Sequence, residues 1–174
     1  MCNKLSLEQR CINVGANMAS YSFDIHTSRV FFLVFMQQVE RFTKDPLSTS
    51  QAVICAMFAW HLTEWIFHEY YEDAQNSQWK KLSDYYKYVK SQCPALGYMQ
   101  DICNGTKHSQ ITYYHPLLSD TQMHQGAFDR GFSRGFDISY LHLTLEDGTV
   151  LRFEDELQKV KVFWENTFLI SGDC

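Results

Sequence analysis

The segment from Gln51 to about Tyr71 constrains the fold more than any other part of the chain. It contains neither glycine nor proline, and Ser48-Thr49-Ser50-Gln51 offers a capping sequence in front of it. Its first half is apolar nearly all round, which is typical of a helix buried on every side. The longest uninterrupted apolar run, Ala52 to Trp60, is far shorter than the roughly 20 residues that a membrane span needs. The segment therefore predicts a central buried helix and no membrane span.

Further helices are predicted on both sides of this segment. A pattern with one broad apolar face begins at about Thr27 and stops before Asp45-Pro46, because the residue before a proline disfavours the α region. Pro94 suits the first position of a short helix, which Gly105 can terminate in a left-handed cap. The predicted helices span about residues 6–22, 27–42, 51–71, 77–89 and 94–103.

The C-terminal third predicts a β-hairpin and one more helix. Residues 141–145 alternate strictly between leucine and polar side chains, which is typical of a half-buried strand. Asp147-Gly148 supplies the positive φ of a tight turn, and residues 150–153 return as the second strand. Asp155, with Gln158 three residues later, is expected to cap the last helix. Residues 109–136 are expected to form a long connection.

Length and composition are those of a single folded domain. The chain has 174 residues and is 45% hydrophobic, which is enough apolar area to offset the entropy of a disordered chain. Three prolines and eight glycines leave little room for a linker. The sequence therefore predicts one α+β domain, residues 1–174. A helical bundle fills about 6–108, and a loop, a C-terminal β-hairpin and a final helix fill about 109–170.

Cysteine usage and charge limit the partners. Six scattered cysteines without a C-x-x-C pair favour free thiols over disulfides or a zinc site. No basic stretch followed by an apolar one opens the chain, so we expect a cytoplasmic protein without a secretory signal. The net charge of −5 comes from residues 137–174, and the first 136 residues are neutral overall. Because general nucleic-acid binding needs clustered Lys and Arg, nucleic acid is disfavoured as a partner.

Two segments carry a resemblance. Residues 59–65 (Ala-Trp-His-Leu-Thr-Glu-Trp) and 101–108 (Asp-Ile-Cys-Asn-Gly-Thr-Lys-His) resemble those of a loose group of uncharacterised bacterial proteins. That group carries an Ala-x-His-Leu-x-Asp/Glu-Trp helix, an Asn-Gly-x-Lys-His segment, a Gly-Phe-rich stretch and a C-terminal hairpin. The resemblance covers about residues 27–168 and implies an architecture and candidate positions, but no activity. Proteins of this sort often travel in mobile elements such as phages and integron cassettes.

A weaker similarity links the chain to HEPN-type helical bundles. Some of those bundles cut RNA with an Arg-x(4–6)-His motif. No arginine of this chain is followed by a histidine at that spacing, so the ribonuclease version of the similarity is not supported.

Three polar residues share one face of the central helix. His61, Glu64 and His68 stand at i, i+3 and i+7, and two imidazoles with a carboxylate can ligate a divalent metal. Yet His61 and His68 lie about 10 Å apart along a helix axis, so further ligands would have to come from elsewhere. The alternative is a buried His61 held by Glu64 or by a backbone carbonyl. We assign no metal and no cofactor, and keep the three residues as weak metal candidates.

A second polar group follows the short helix. Lys107 and His108 can bind an anion or phosphate, and histidine can act as a general base near neutral pH. In the alternative interpretation Asn104-Gly105 ends a helix, Lys107 is solvated and His108 packs. The sequence-based hypothesis is a combined pocket, because titratable groups that converge on a cleft often mark a site. Its members are His61, Glu64, Asn104, Lys107 and His108.

The long connection contains Arg130-Gly131-Phe132 and Arg134-Gly135-Phe136. Such pieces can bind single-stranded nucleic acid through stacking and charge. Two copies are few, and Asp129 and Asp137 cancel the charge. We therefore expect a glycine-rich loop whose phenylalanines cap the core.

Two functions remain open at the level of the sequence. The first is a binding or interaction module that recognises a small ligand or another protein, with a homodimer as one arrangement. The alternative is a hydrolase or nuclease that uses His61, Glu64, Lys107 and His108, with or without a metal. A structural role, in which these residues lock two helices together, is the third interpretation. The motifs G-x-S-x-G, G-x-G-x-x-G and the Walker sequence are absent.

Overall fold

Five helices and a three-stranded antiparallel sheet make up this computed structural model, which describes residues 23–75, 77–108 and 115–170. The α+β architecture predicted from the sequence is confirmed, and the predicted helix over 6–22 lies outside the described residues. The elements are α1 (Ser28–Lys44), α2 (Thr49–Tyr70), α3 (Leu82–Gln92), α4 (Ala95–Lys107), β1 (Leu118–His124), β2 (Tyr140–Leu145), β3 (Val150–Arg152) and α5 (Phe153–Ile170).

Helix α2 is the centre of the core, as the sequence predicts. The Ser48 side chain caps it by accepting a hydrogen bond from the Gln51 backbone N–H at 3.3 Å. Cys55 and Leu62 on this helix are fully buried. Helices α1, α3, α4 and α5 all contact α2, and α5 also covers the sheet. In the part of the chain that the structure describes, no helix has both the length and the apolarity to span a membrane.

Strand β1 differs from the sequence prediction, in which residues 118–124 belong to a long connection. The sheet order is β1-β2-β3, so β1 is an edge strand. Only its first residue, Leu118, is buried. Asp101 on α4 fixes the start of the strand, since its Oδ2 accepts hydrogen bonds from the Leu117 and Leu118 backbone N–H groups at 2.6 and 2.9 Å. The hairpin between β2 and β3 matches the prediction, and Gly148 adopts φ +85° in its turn.

Several predicted helix ends differ in the structure. Gly105 does not terminate α4, which continues to Lys107 and closes with the His108 N–H donating to the Asn104 carbonyl oxygen at 2.9 Å. Helix α3 begins at Leu82 rather than at about Ser77. Helix α5 begins at Phe153, so Asp155 is an acid of the first turn and not the cap. A carboxylate there is still favourable, because the N-terminus of a helix carries partial positive charge.

Candidate functional site

His61 connects α2 to α4 through a cysteine. Its Nε2 lies 3.6 Å from the Sγ atom of Cys103, within hydrogen-bonding distance for sulfur. Burial raises the pKa of the Cys103 thiol, and the Lys107 charge acts in the opposite direction. Cys103 therefore stays protonated near neutral pH and works as a packing and hydrogen-bonding group rather than a nucleophile. Among the described residues the partner of His61 is this thiol, and not Glu64 or a carbonyl as in the alternative interpretation.

Glu64 contacts the next turn of its own helix. Its Oε1 lies 3.6 Å from Nε2 of His68, whose Nδ1 is 2.6 Å from Oε2 of Glu72. These carboxylates, Glu72 foremost, raise the pKa of His68 against the effect of its partial burial. Tyr86 on α3 also belongs to this region, because burial, with Glu64 and Cys103 as smaller contributions, raises its pKa to about 12. Tyr86 is not among the pocket residues predicted from the sequence.

The second predicted group lies at the end of α4. Lys107 and His108 are exposed, and Asn104 is half-buried. Within residues 23–75, 77–108 and 115–170, the side chains of Asn104 and His108 make no hydrogen bond. Cys103 is the described link between the two groups, since it contacts His61 and its pKa responds to Lys107.

No metal cluster is formed by the described residues. Among them, no group of three or more His, Cys, Asp or Glu side chains is placed to hold an ion. His61 and His68, the two candidate imidazoles, have separate partners in Cys103 and Glu72. The described cysteines Cys55 and Cys93, like Cys103, are free buried thiols.

The most unusual surface feature is an exposed aromatic group in the loop between β1 and β2. We call Phe128, Phe132 and Phe136 the phenylalanine cluster. Their side chains are 44%, 50% and 47% exposed, and their ring centroids lie 5.2–5.6 Å apart. The expectation that these rings cap the core is therefore wrong. They pack against one another, at separations typical of edge-to-face and tilted ring pairs.

Backbone hydrogen bonds hold the loop that carries the phenylalanine cluster. The N–H groups of Phe128, Phe132 and Phe136 donate to the carbonyl oxygens of Asp137, Asp129 and Ser133 at 2.9–3.1 Å. Only glycine fits at position 126, because a Cβ there would overlap the carbonyl groups of Asp137 and Ile138. Backbone hydrogen bonds therefore fix the position of each phenylalanine in the loop.

Three ion pairs tie the same loop to α5. Arg130 Nη2 lies 3.3 Å from Glu154 Oε2, and Arg134 Nη1 lies 2.5 Å from Asp155 Oδ1. Arg134 also approaches Glu154 at 3.3 Å. Acids of the first turn of α5 thus neutralise the two loop arginines, and the three rings form an uncharged apolar surface.

Sequence reasoning singled out the arginine-glycine-phenylalanine pieces but assigned the rings to the core. The three phenylalanines are spaced four residues apart, in a segment whose glycines disfavour a regular helix. This equal spacing is the signal that could have indicated a shared surface. Comparison with protein-family models, with curated proteins and with solved structures finds no match to this chain.

Proposed function

We propose that this chain is a protein-binding module whose contact surface is the phenylalanine cluster. The observation that carries the proposal is the position of three mutually packed rings, each about half exposed, outside the core. Contiguous exposed apolar groups mark interaction sites more often than isolated ones do. Aromatic side chains are also the residues that most often dominate the binding energy of an interface.

The charge around the cluster defines the partner. Asp129, Arg130, Arg134 and Asp137 give the loop no net charge, and both arginines are already paired with α5. A polyanion would find no unpaired cation in the loop, which argues against nucleic acid. The partner is therefore a protein segment that presents aliphatic or aromatic side chains to the rings.

The loop is also prepared for binding. A flexible loop loses conformational entropy when a partner orders it, and that loss weakens association. Here the rings are fixed beforehand by the backbone bonds of Phe128, Phe132 and Phe136 and by the three ion pairs of the loop arginines. This arrangement favours a recognition surface over an accidental exposure.

The α2–α4 region supports a binding or structural role better than hydrolysis. A hydrolase using His61, Glu64, Lys107 and His108 needs these groups to meet in one site. The described contacts pair His61 with the protonated Cys103 thiol and Glu64 with His68. We keep this region as the place for a small ligand, and the hydrolase or nuclease as an alternative that no described contact favours.

The biological setting is part of the proposal. The resemblance of segments 59–65 and 101–108 to uncharacterised bacterial proteins supports a bacterial, cytoplasmic module carried on mobile elements. A homodimer is the alternative to a different protein partner, with the phenylalanine cluster of one copy packed on that of another.

The test is a selection of binding peptides on the purified chain. A random peptide library displayed on phage is enriched on immobilised wild-type protein, and the selected peptides are synthesised and titrated by fluorescence polarisation. Phe132→Ser should weaken binding at least about tenfold, since truncating a central aromatic contact costs more than about 1.4 kcal/mol. Phe23→Ser is the matched control, because Phe23 is 91% exposed and lies outside the cluster.

Two results would contradict this proposal. Peptides that bind wild type and Phe132→Ser equally would show that the rings are not the contact surface. Sedimentation equilibrium that finds a dimer of wild type and a monomer of Phe132→Ser would assign the surface to a second copy instead of a different protein.

A further inference from the structure

The outer face of the sheet carries a second polar group, away from the phenylalanine cluster. In the β2–β3 register His142 lies opposite Arg152, and in the β1–β2 register Gln122 lies opposite His142. Residues two apart on a strand share a face, so Tyr140 stands beside His142 on this side, while Leu141 and Leu143 are buried on the other. The face therefore gathers an arginine, a histidine and a tyrosine.

Arg152 has donors to spare. Its guanidinium carbon lies 4.1 Å from the centroid of the Tyr140 ring, a cation–π contact that uses none of its N–H groups. Within the described ranges it forms no ion pair and no hydrogen bond. Arg130 and Arg134 are different, because both are paired with acids of α5.

His142 has an unmet requirement. Its Nε2 atom is buried and finds no hydrogen-bond partner among the described residues. Its ring makes an edge contact with Tyr140, at a centroid distance of 6.1 Å. A buried polar atom without a partner is costly, and a bound group is one way in which the missing bond is supplied. Directly opposite residues of an antiparallel pair are neighbours, so a group at His142 lies within reach of Arg152.

The neighbouring acids are already engaged. Asp120 accepts hydrogen bonds from the Gln122 side chain at 2.5 Å and from the Thr121 backbone N–H at 2.8 Å. Asp137 lies 2.5 Å from Nε2 of His124. The hydrogen bond from His124 holds the pKa of Asp137 below its usual range, so this carboxylate remains the partner of His124. Neither carboxylate pairs with Arg152, so among the described residues its guanidinium is an unpaired cation.

We propose that this outer face binds a small-molecule phosphate monoester, with Arg152 and His142 as its donors. The guanidinium fork takes two oxygen atoms and the Nε2–H of His142 takes a third. A phosphate monoester offers three terminal oxygen atoms, whereas a carboxylate and a phosphodiester offer only two. The monoester therefore fits this donor set best.

The experiment is a titration of the full chain, followed by the side-chain ¹H–¹⁵N signals of His142, with phenyl phosphate as the probe. We expect a saturable shift of Nε2. Arg152→Gln should raise the apparent Kd at least about tenfold. Arg152→Lys, which keeps the charge but loses the fork, should raise it less. Arg29→Gln, which removes an exposed arginine of α1, should leave the Kd unchanged. If Arg152→Gln fails to fold, the Kd of Arg152→Lys is the test, and a value equal to that of wild type overturns the proposal.

The remaining ligands separate the alternatives. Diphenyl phosphate and benzoate should bind at least about tenfold more weakly, because each lacks the third oxygen. A blocked phosphoserine tripeptide that binds more tightly than phenyl phosphate would assign the site to a phosphoprotein and contradict a small-molecule ligand. Benzoate binding equal to phenyl phosphate, the same Kd for wild type and Arg152→Gln, or no saturable shift would each overturn the proposal.

Discussion

The indole N–H of Trp164 donates to the backbone carbonyl oxygen of Ala59 over 3.2 Å. The two residues are 105 positions apart, and both side chains are fully buried. Helix α5 is thus bonded to the backbone of α2 inside the core. The final helix and the central helix form one packed unit, and the sheet packs against the final helix.

Trp164→Phe should destabilise the fold by about 1–3 kcal/mol, since it removes this hydrogen bond and leaves a cavity. The free energy of unfolding, measured by urea denaturation, checks the value. Trp79→Phe is the control, because Trp79 is only half-buried and should cost less. Equal losses in the two variants would contradict a special role of the Trp164 contact.

The two glycines at 105 and 126 should respond to alanine with opposite signs. Gly105 lies in α4 and a Cβ there meets nothing within 4 Å, so Gly105→Ala should stabilise by about 0.5–1 kcal/mol. At Gly126 a Cβ would overlap the backbone of Asp137, so Gly126→Ala should destabilise by about 1–3 kcal/mol. Melting curves of both variants test the pair. A destabilised Gly105→Ala would mean that α4 ends at position 105 after all.

Arg134→Gln should loosen the phenylalanine cluster without unfolding the domain. Exposed ion pairs contribute at most about 1 kcal/mol each, so global stability should change little. Hydrogen exchange of the Phe132 and Phe136 amides should nevertheless quicken, because the loop loses its contacts with Asp155 and Glu154. Lys44→Gln, which removes an exposed pair on α1, should leave both amides unchanged. Unaltered exchange in Arg134→Gln would show that the ion pairs do not hold the loop.

The contribution of His68 to stability should depend on pH. Glu72 and Glu64 raise the pKa of folded His68 above its ordinary value of 6.5, so folding favours the protonated ring. This stabilisation is fully present below pH 6.5 and is lost as the pH rises through the higher folded pKa.

The free energies of unfolding of wild type and His68→Gln at pH 5.5 and pH 8.5 measure that dependence. The side chain is 45% exposed, so the difference between the two proteins should be larger at pH 5.5 by only about 0.5 kcal/mol or less. Lys44→Gln serves as control, since it removes an exposed ion pair on α1 and leaves His68 and its partners in place. A difference that grows towards pH 8.5 would contradict the direction of the shift.

The sequence predicts those elements that are determined by the residues of a single short segment. The apolar run of α2, the leucine alternation of β2 and the Asp147-Gly148 turn each define their own structure. Strand β1 was not predicted from the sequence, because helices do not cover its inner side. Met123 is therefore 41% exposed, and no apolar alternation is required of the strand.

The sites depended on contacts between distant segments. That His61 meets Cys103 follows from how α2 and α4 align, which the spacing of either helix alone does not determine. The phenylalanine cluster lies in a loop whose Arg130 and Arg134 pair with α5 rather than with the nearby Asp129. Asp137 likewise pairs with His124 and not with an arginine. Counting charges along the sequence predicts the neutrality of the loop but not which residues pair.

An aromatic NMR experiment on protein labelled at phenylalanine tests the exposure and packing of the phenylalanine cluster most directly. We expect nuclear Overhauser effects among the rings of Phe128, Phe132 and Phe136, strong broadening of all three by a soluble paramagnetic agent, and selective shifts when a selected peptide is added. The ring of buried Phe35 should remain sharp under the same conditions. Rings that are protected from the agent, and that show Overhauser effects to core residues such as Leu143 or Trp164, would contradict it.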